Sequence, residues 1–251
     1  MTDKLKKEIE ALIKKLKLNC SIEEFKDKMS WQWKDISQIK TLSKEFIREF
    51  QDELDWRYIS EYLLSEDFIE EFQDKLDWKY VSEHSLSESF IRKFQDTVDW
   101  DYISIYQELS EAFIKEFQDK VDWTYISKCQ TLSESFIKEF RYKVDWNFIL
   151  RYQEISEDII RDIQDKVEYW NYVSRNKTFW TNISKYQKLS EVFIREFQNK
   201  VDWENILLNQ QLSKDFIKEF ENNKHMSYIL KNLKKIKPFS LSLHPLVTNK
   251  K

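Results

Sequence analysis

The sequence predicts an all-α fold, an α-solenoid of short paired helices in tandem 22–23-residue repeats with helical caps at both ends. Three observations carry this. Trp33, Trp56, Trp78, Trp100, Trp123 and Trp146 follow one another at 22 or 23 residues, and Trp180 and Trp203 are again 23 apart. Around them runs one unit, Leu-Ser-Glu-x-Phe-Ile-x-Glu-Phe-Gln-Asp-Lys-Val-Asp-Trp-x-Tyr-Ile-Ser-x-Tyr-Gln, seen clearly from Leu109 to Gln130. Self-similarity at a fixed period marks a repeat architecture. Finally, the 251 residues include no glycine and only two prolines. Tight β-hairpins lean on glycine, so a β-rich fold is hard to build from this chain.

Each unit is two related halves. Leu109-Ser110-x-x-Phe113-Ile114 repeats as Val121-Asp122-x-x-Tyr125-Ile126. Each half reads as one short helix. Ser110 and Asp122 suit the N-cap, where a side-chain oxygen accepts from a free N–H of the first turn. The apolar residue before each cap and the isoleucine four after it form a hydrophobic staple. A helix of about ten residues is marginal alone. Its apolar stripe must be buried against neighbouring units, which is the logic of a solenoid.

Along the chain, residues 1–19 predict an amphipathic capping helix with Leu5, Ile9, Leu12, Ile13 and Leu16 on one face. Residues 20–42 are a degenerate first repeat. Tandem repeats then fill 43–230, with cap serines at Ser43, Ser65, Ser87, Ser110, Ser133, Ser156, Ser190 and Ser213. The pattern breaks at 168–180, where Trp170 and Trp180 are only ten apart and the serine-type half between them is missing. A local kink is expected there. Residues 231–251 predict a terminal cap and a basic tail.

Repetition separates scaffold from variable surface. The tryptophan column (Trp56, Trp78, Trp100, Trp123, Trp146, Trp203) recurs beside a capped helix start and reads as inter-unit core. The column five after the cap serine is basic, as at Arg48, Arg92, Arg161 and Arg195; the next is acidic, as at Glu71, Glu116, Glu196 and Glu219. The two stripes cancel. Pairs such as Glu88–Arg92 and Glu116–Lys120 have the favourable i,i+4 order within a helix. Candidate partner-binding positions are those that vary: Asp101, Thr124 and Asn147 just after tryptophan, and Ile105, Lys128, Arg151, Lys185 and Leu208 five after it. Ile105 and Leu208 are odd on a solvated face.

The chemistry of catalysis is not visible. Without glycine there is no phosphate-cradling loop or nucleophile elbow. His84 and His225 fill slots held elsewhere by tyrosine and aspartate, and no histidines share metal-ligand spacing. Carboxylates recur evenly, whereas a catalytic pair stands apart. The expectation is a non-enzymatic protein without metal or cofactor. Net charge is −4 and pI about 5.7, which argues against nucleic acid as partner. The chain shows no apolar leader and no apolar run of membrane-spanning length. Cys20 and Cys129 read as reduced thiols, so an intracellular, unsecreted protein is expected; the oligomeric state is open, with a monomer favoured.

The repeat resembles those of poorly characterised proteins of giant DNA viruses, mimivirus-like viruses especially, over roughly 43–230. The resemblance carries no catalytic residues. It implies a virus-encoded protein acting in the host cytoplasm. Together these readings point to a repeat scaffold that binds a protein partner along an extended helical face, with a nucleic-acid-binding helical repeat as the alternative.

Overall fold

In a computed structural model, residues 1–28, 32–62, 64–164 and 176–220 are described. Among them are 18 helices and no strand. The chain is an all-α helical repeat of solenoid type. It divides into two compact units, Met1–Val121 and Asp122–Lys251.

The first unit holds α1 (Asp3–Lys15), α2 (Phe25–Lys28), α3 (Trp33–Ser37), α4 (Lys44–Glu49), α5 (Trp56–Ser60), α6 (Glu66–Glu71), α7 (Trp78–Val81), α8 (Glu88–Lys93), α9 (Trp100–Tyr106) and α10 (Glu111–Glu116). The second holds α11 (Trp123–Cys129), α12 (Glu134–Glu139), α13 (Trp146–Tyr152), α14 (Glu157–Ile163), α15 (Asn176–Tyr186), α16 (Glu191–Glu196), α17 (Trp203–Asn209) and α18 (Lys214–Phe220). From α4 onward even-numbered helices are the serine-type halves and odd-numbered ones the tryptophan-type halves. Like packs on like: α5 beside α7 in the first unit, and α11, α13, α15 and α17 in succession in the second.

The amphipathic first helix forms as expected, with Leu5, Ile9 and Leu12 buried. It ends without glycine. Lys17 adopts φ 54, and the Leu18 and Lys17 N–H groups bond the Ile13 and Lys14 carbonyls, a Schellman motif with lysine in the left-handed position. The degenerate first repeat keeps a capping box, in which Ser21 Oγ accepts from Glu24 N–H and the Glu24 carboxylate from Ser21 N–H.

Serine caps hold at Ser43, Ser87, Ser110, Ser133, Ser190 and Ser213, each accepting from the N–H three residues on. Ser65 and Ser156 make no such bond. Their hydroxyls are engaged elsewhere: Ser65 accepts from Lys44 Nζ, and Ser156 donates to Glu134. Aspartate caps open the tryptophan-type helices, for example Asp99 on α9 and Asp145 on α13. The phenylalanines and isoleucines of the serine-type helices are buried, as at Phe90, Ile91 and Phe94, except for the half-buried Ile217 of α18. Burying one such side chain contributes about 1.5–3 kcal/mol.

Two polar devices tie one repeat to the next. The serine four residues after tryptophan is fully buried at Ser37, Ser60, Ser82, Ser104, Ser127 and Ser184. Ser60 and Ser82 donate to the tryptophan carbonyl of their own helix and accept from the N–H of the aspartate opening the next tryptophan-type helix, Asp77 at 2.8 Å and Asp99 at 2.9 Å. At the irregular junction both members turn apolar: Leu150 stands in the serine position and Phe179 in the aspartate position, and both are buried. There α15 starts at Asn176, four residues ahead of Trp180, instead of at the tryptophan. The 168–175 part of the irregularity, the end of the repeats at 221–230, and the 231–251 cap and tail lie outside the described residues.

The second device is glutamine. Gln107 Nε2 donates to the carbonyls of Ser82 and His84, and its Oε1 accepts from Leu86 N–H. Gln187 and Gln210 repeat all three bonds in the second unit. Where the tryptophan spacing is 22, the residue six after tryptophan replaces this glutamine. The Tyr62 hydroxyl donates to the Ser37 carbonyl, and His84 Nε2 lies 2.7 Å from the Ser60 carbonyl. A ring thus spans the distance that a shorter loop leaves open. Burial pushes the Tyr62 phenol up to about 12, with Glu61 adding to the shift.

Ser82→Ala is expected to cost about 1–2 kcal/mol, and Gln107→Ala more, because it orphans one donor and two acceptors; urea denaturation measures both. Equal, negligible effects would contradict the bridging roles. Tyr62→Phe is expected to cost about 1–3 kcal/mol at neutral pH by leaving the Ser37 carbonyl unpaired. A raised folded-state value makes the phenol's contribution whole below about pH 10 and lost as pH rises through about 12. The variant should therefore show a shallower loss of stability across that alkaline window, measured by thermal unfolding.

Candidate interaction face

The tryptophan column is built into the repeat from both sides. The indole N–H of Trp56, Trp78, Trp100, Trp146 and Trp203 donates to the carbonyl five residues earlier, at 2.8–3.0 Å. The ring meets the second phenylalanine of the following serine-type helix, 5.0 Å between centroids for Trp78–Phe94, Trp100–Phe117, Trp123–Phe140 and Trp203–Phe220. A lysine from the same following half lies 5.7–5.8 Å over Trp56, Trp100, Trp123 and Trp180. Trp146 and Trp203 are buried, while Trp56, Trp78, Trp100 and Trp123 are half-buried. None of these rings is an open stacking platform.

The arginines of the basic column on the serine-type helices are paired between repeats rather than only within helices. Arg48 pairs with Glu71 at 2.6 Å, Arg92 with Glu116 at 2.8 Å, Arg161 with Glu196 at 2.9 Å and Arg195 with Glu219 at 2.8 Å. The i,i+4 partners are longer, 3.6 Å for Glu88–Arg92 and 3.8 Å for Glu191–Arg195. Likewise Lys120 reaches Asp96 of the preceding repeat at 2.8 Å. The hydrogen bond from Arg48 lowers the Glu71 carboxyl below its ordinary value and raises the guanidinium in turn. Arg92, Arg161 and Arg195 also lie over Phe113, Phe193 and Phe216 of the following repeat. These cations are occupied. The glutamate after the cap serine has a further task that the helical pattern does not reveal: Glu66, Glu88 and Glu157 accept from the N–H of the next cap serine at 2.6–2.7 Å.

The variable positions behave differently. Lys128, Arg151 and Lys185 are exposed on the successive helices α11, α13 and α15. Among the described residues none of the three has an ion-pair partner. Instead they ride on aromatic rings. Lys128 lies 6.0 Å over Phe148. Arg151 lies 5.3 Å from the Tyr152 centroid and 5.5 Å from that of Tyr186, and Lys185 is 5.1 Å over Tyr186. Tyr152 is 47% exposed and Tyr186 36%. None of the three helices contains an acidic residue. A cation over an exposed ring gains about 0.5–1 kcal/mol, which biases the side chain toward the ring without hiding its charge.

Thr124 and Asn147 are exposed at the starts of α11 and α13, their N–H groups used by Asp122 and Asp145. Leu208, 44% exposed, follows on α17. Ile105, half-buried, and Asp101, exposed, sit on α9 in the first unit and are described apart from this strip. Sequence reasoning missed Phe148, Tyr152 and Tyr186, because tyrosine at those positions looked like part of the repeat scaffold. The readable signal was the slot six after tryptophan, which changes from Tyr62 and His84 to residues that no longer serve as the inter-repeat bond once glutamine follows at the seventh place. An open hollow of about 300 Å³ adjoins Tyr186, lined also by Glu134, Glu154, Ile155, Ser156, Gln187 and Lys188.

Among the described residues no group of three or more histidine, cysteine or acidic side chains is placed to hold a metal. Cys20 is half-buried, Cys129 is exposed and both are free thiols. His225 and His244 lie outside the described residues. No described helix is long and apolar enough to cross a membrane. Comparison with family models, with curated proteins and with solved structures yields no match to this chain.

Because the strip is solvated, changing Lys128, Arg151 and Lys185 together to glutamine is expected to shift stability by less than about 2 kcal/mol, whereas Trp123→Ala should cost about 3–5 kcal/mol. Thermal and urea unfolding compare them; a collapse of the triple variant would make the strip part of the scaffold instead.

Proposed function

We propose that this protein is a non-enzymatic repeat scaffold that binds a protein partner along the exposed face of α11, α13 and α15. The observation that supports this reading is the line of unpaired cations, Lys128, Arg151 and Lys185, each held over an exposed or half-buried ring on successive helices. Tyrosine and arginine dominate the energetics of protein interfaces. Here the rings bias the cations toward one placement before binding, which lowers the entropic cost of association. By contrast Arg48, Arg92, Arg161 and Arg195 on the serine-type helices are already engaged by glutamates of the following repeat. Given the resemblance of the repeat to proteins of mimivirus-like viruses, the partner is a protein of the infected cell, engaged in its cytoplasm by a monomeric scaffold.

Selection of a phage-displayed library of short random peptides tests this. Immobilised protein is the bait, and the variant with Lys128, Arg151 and Lys185 changed to glutamine is the counter-bait. Peptides held by the protein and released by the variant are expected. Enrichment that ignores the variant, or none at all, overturns the reading.

A further inference from the structure

We infer that the partner segment is acidic and extended, with a carboxylate at every third residue, each carboxylate meeting one cation of the strip. The inference rests on the scaffold reading above and names the chemistry of its partner. It starts from charge. Lys128, Arg151 and Lys185 form the strip's only charges with described side chains on α11, α13 and α15, they have no ion-pair partners among the described residues, and the helices that carry them contain no acid. Arg151 lies near two rings, which favour one placement of its guanidinium before a ligand arrives. That fork matches a carboxylate in a bidentate arrangement.

Spacing then selects the conformation. The three residues occupy one position, five after tryptophan, on helices that pack side by side. Packed helices lie about 8–10 Å apart, so the cations recur at about that interval. A polyproline II chain rises about 3.1 Å per residue with three residues per turn. Every third side chain therefore returns to the same face after about 9.3 Å, close to one helix layer. A β-strand repeats a face every second residue, about 6.7 Å, and drifts out of register within the strip.

A nucleic-acid strand fits less well. Its charges recur about every 3.4 Å along a duplex axis, roughly three to each cation here. The rings that could stack bases already carry cations at 5.1–5.5 Å.

Fluorescence anisotropy with labelled probes on the full chain tests this. The probes are a peptide of four Glu-Pro-Pro triplets, a peptide of identical composition with its glutamates clustered at one end, and an oligothymidylate of matched length. The triplet peptide is expected to bind at least about tenfold more tightly to the protein than to the triple glutamine variant, a loss of at least about 1.4 kcal/mol. It should also bind more tightly than the clustered peptide, and Arg48→Gln should leave its affinity within about twofold, as suits an exposed paired charge. Equal binding of the two peptides overturns the spacing and with it the inference. If strip-dependent peptides emerge from the library but are neutral or basic, this inference fails while the scaffold reading stands. Strip-dependent binding of oligothymidylate above both peptides overturns the two together.

Discussion

Helices this short cannot satisfy their own backbones. An α-helix leaves its first four N–H and last four C=O groups without intrahelical partners. Most helices here run only five to seven residues, so nearly every backbone polar group is a terminal one. The repeat solves this with side chains. Serine and aspartate cap the starts. The indole N–H reaches back to a carbonyl in the preceding turn. The buried serine and the glutamine then carry the pairing across to the adjacent repeat, with Ser82 bonding Asp99 N–H, and Gln107 bonding Leu86 N–H and the carbonyls of Ser82 and His84. Apolar burial supplies the driving force, but these bonds decide how one repeat sits on the next.

That constraint separates the frozen part of the surface from the free part. The phenylalanine faces, the tryptophans and the arginine–glutamate ladder are all engaged by a neighbouring repeat. The residue five after tryptophan points away from that work, and it is there that charge varies from Glu61 and Glu83 in the first unit to Lys128, Arg151 and Lys185 in the second. The scaffold therefore tolerates change at this column, and the second unit carries cations there on a ground of tyrosine and phenylalanine rings.

Much of this was legible in the sequence, for local reasons. The tryptophan period, the caps at Ser110 and Asp122 and the entry helix are signals spanning a few residues, and they appear where expected. The bridges were not legible. Ser82 reads as a polar residue on a short helix, and its partner Asp99 lies 17 residues away. The arginine column was legible only in part, for a related reason. Arg92 has Glu88 four residues back and Glu116 in the next repeat, and the helical spacing shows only the first. The candidate columns at Lys128, Arg151 and Lys185 were identified by variation, but the rings beneath them looked like scaffold because tyrosine recurs. The exchange of Tyr62 and His84 for glutamine shows why recurrence misled: one residue of loop length moves the task to a different side chain and frees the tyrosine slot.

Native-state hydrogen exchange tests the central claim most directly. Amides of Leu86 and Leu189 lie outside every helix, yet each donates to a buried glutamine, and those of Asp77 and Asp99 open helices yet donate to a buried serine of the preceding repeat. These four should exchange as slowly as amides inside the neighbouring helices, such as Ile91 and Ile103. Rapid exchange at Leu86 and Asp99 beside slow exchange at Ile91 and Ile103 would show that the repeats are held by apolar packing alone, and would contradict the account.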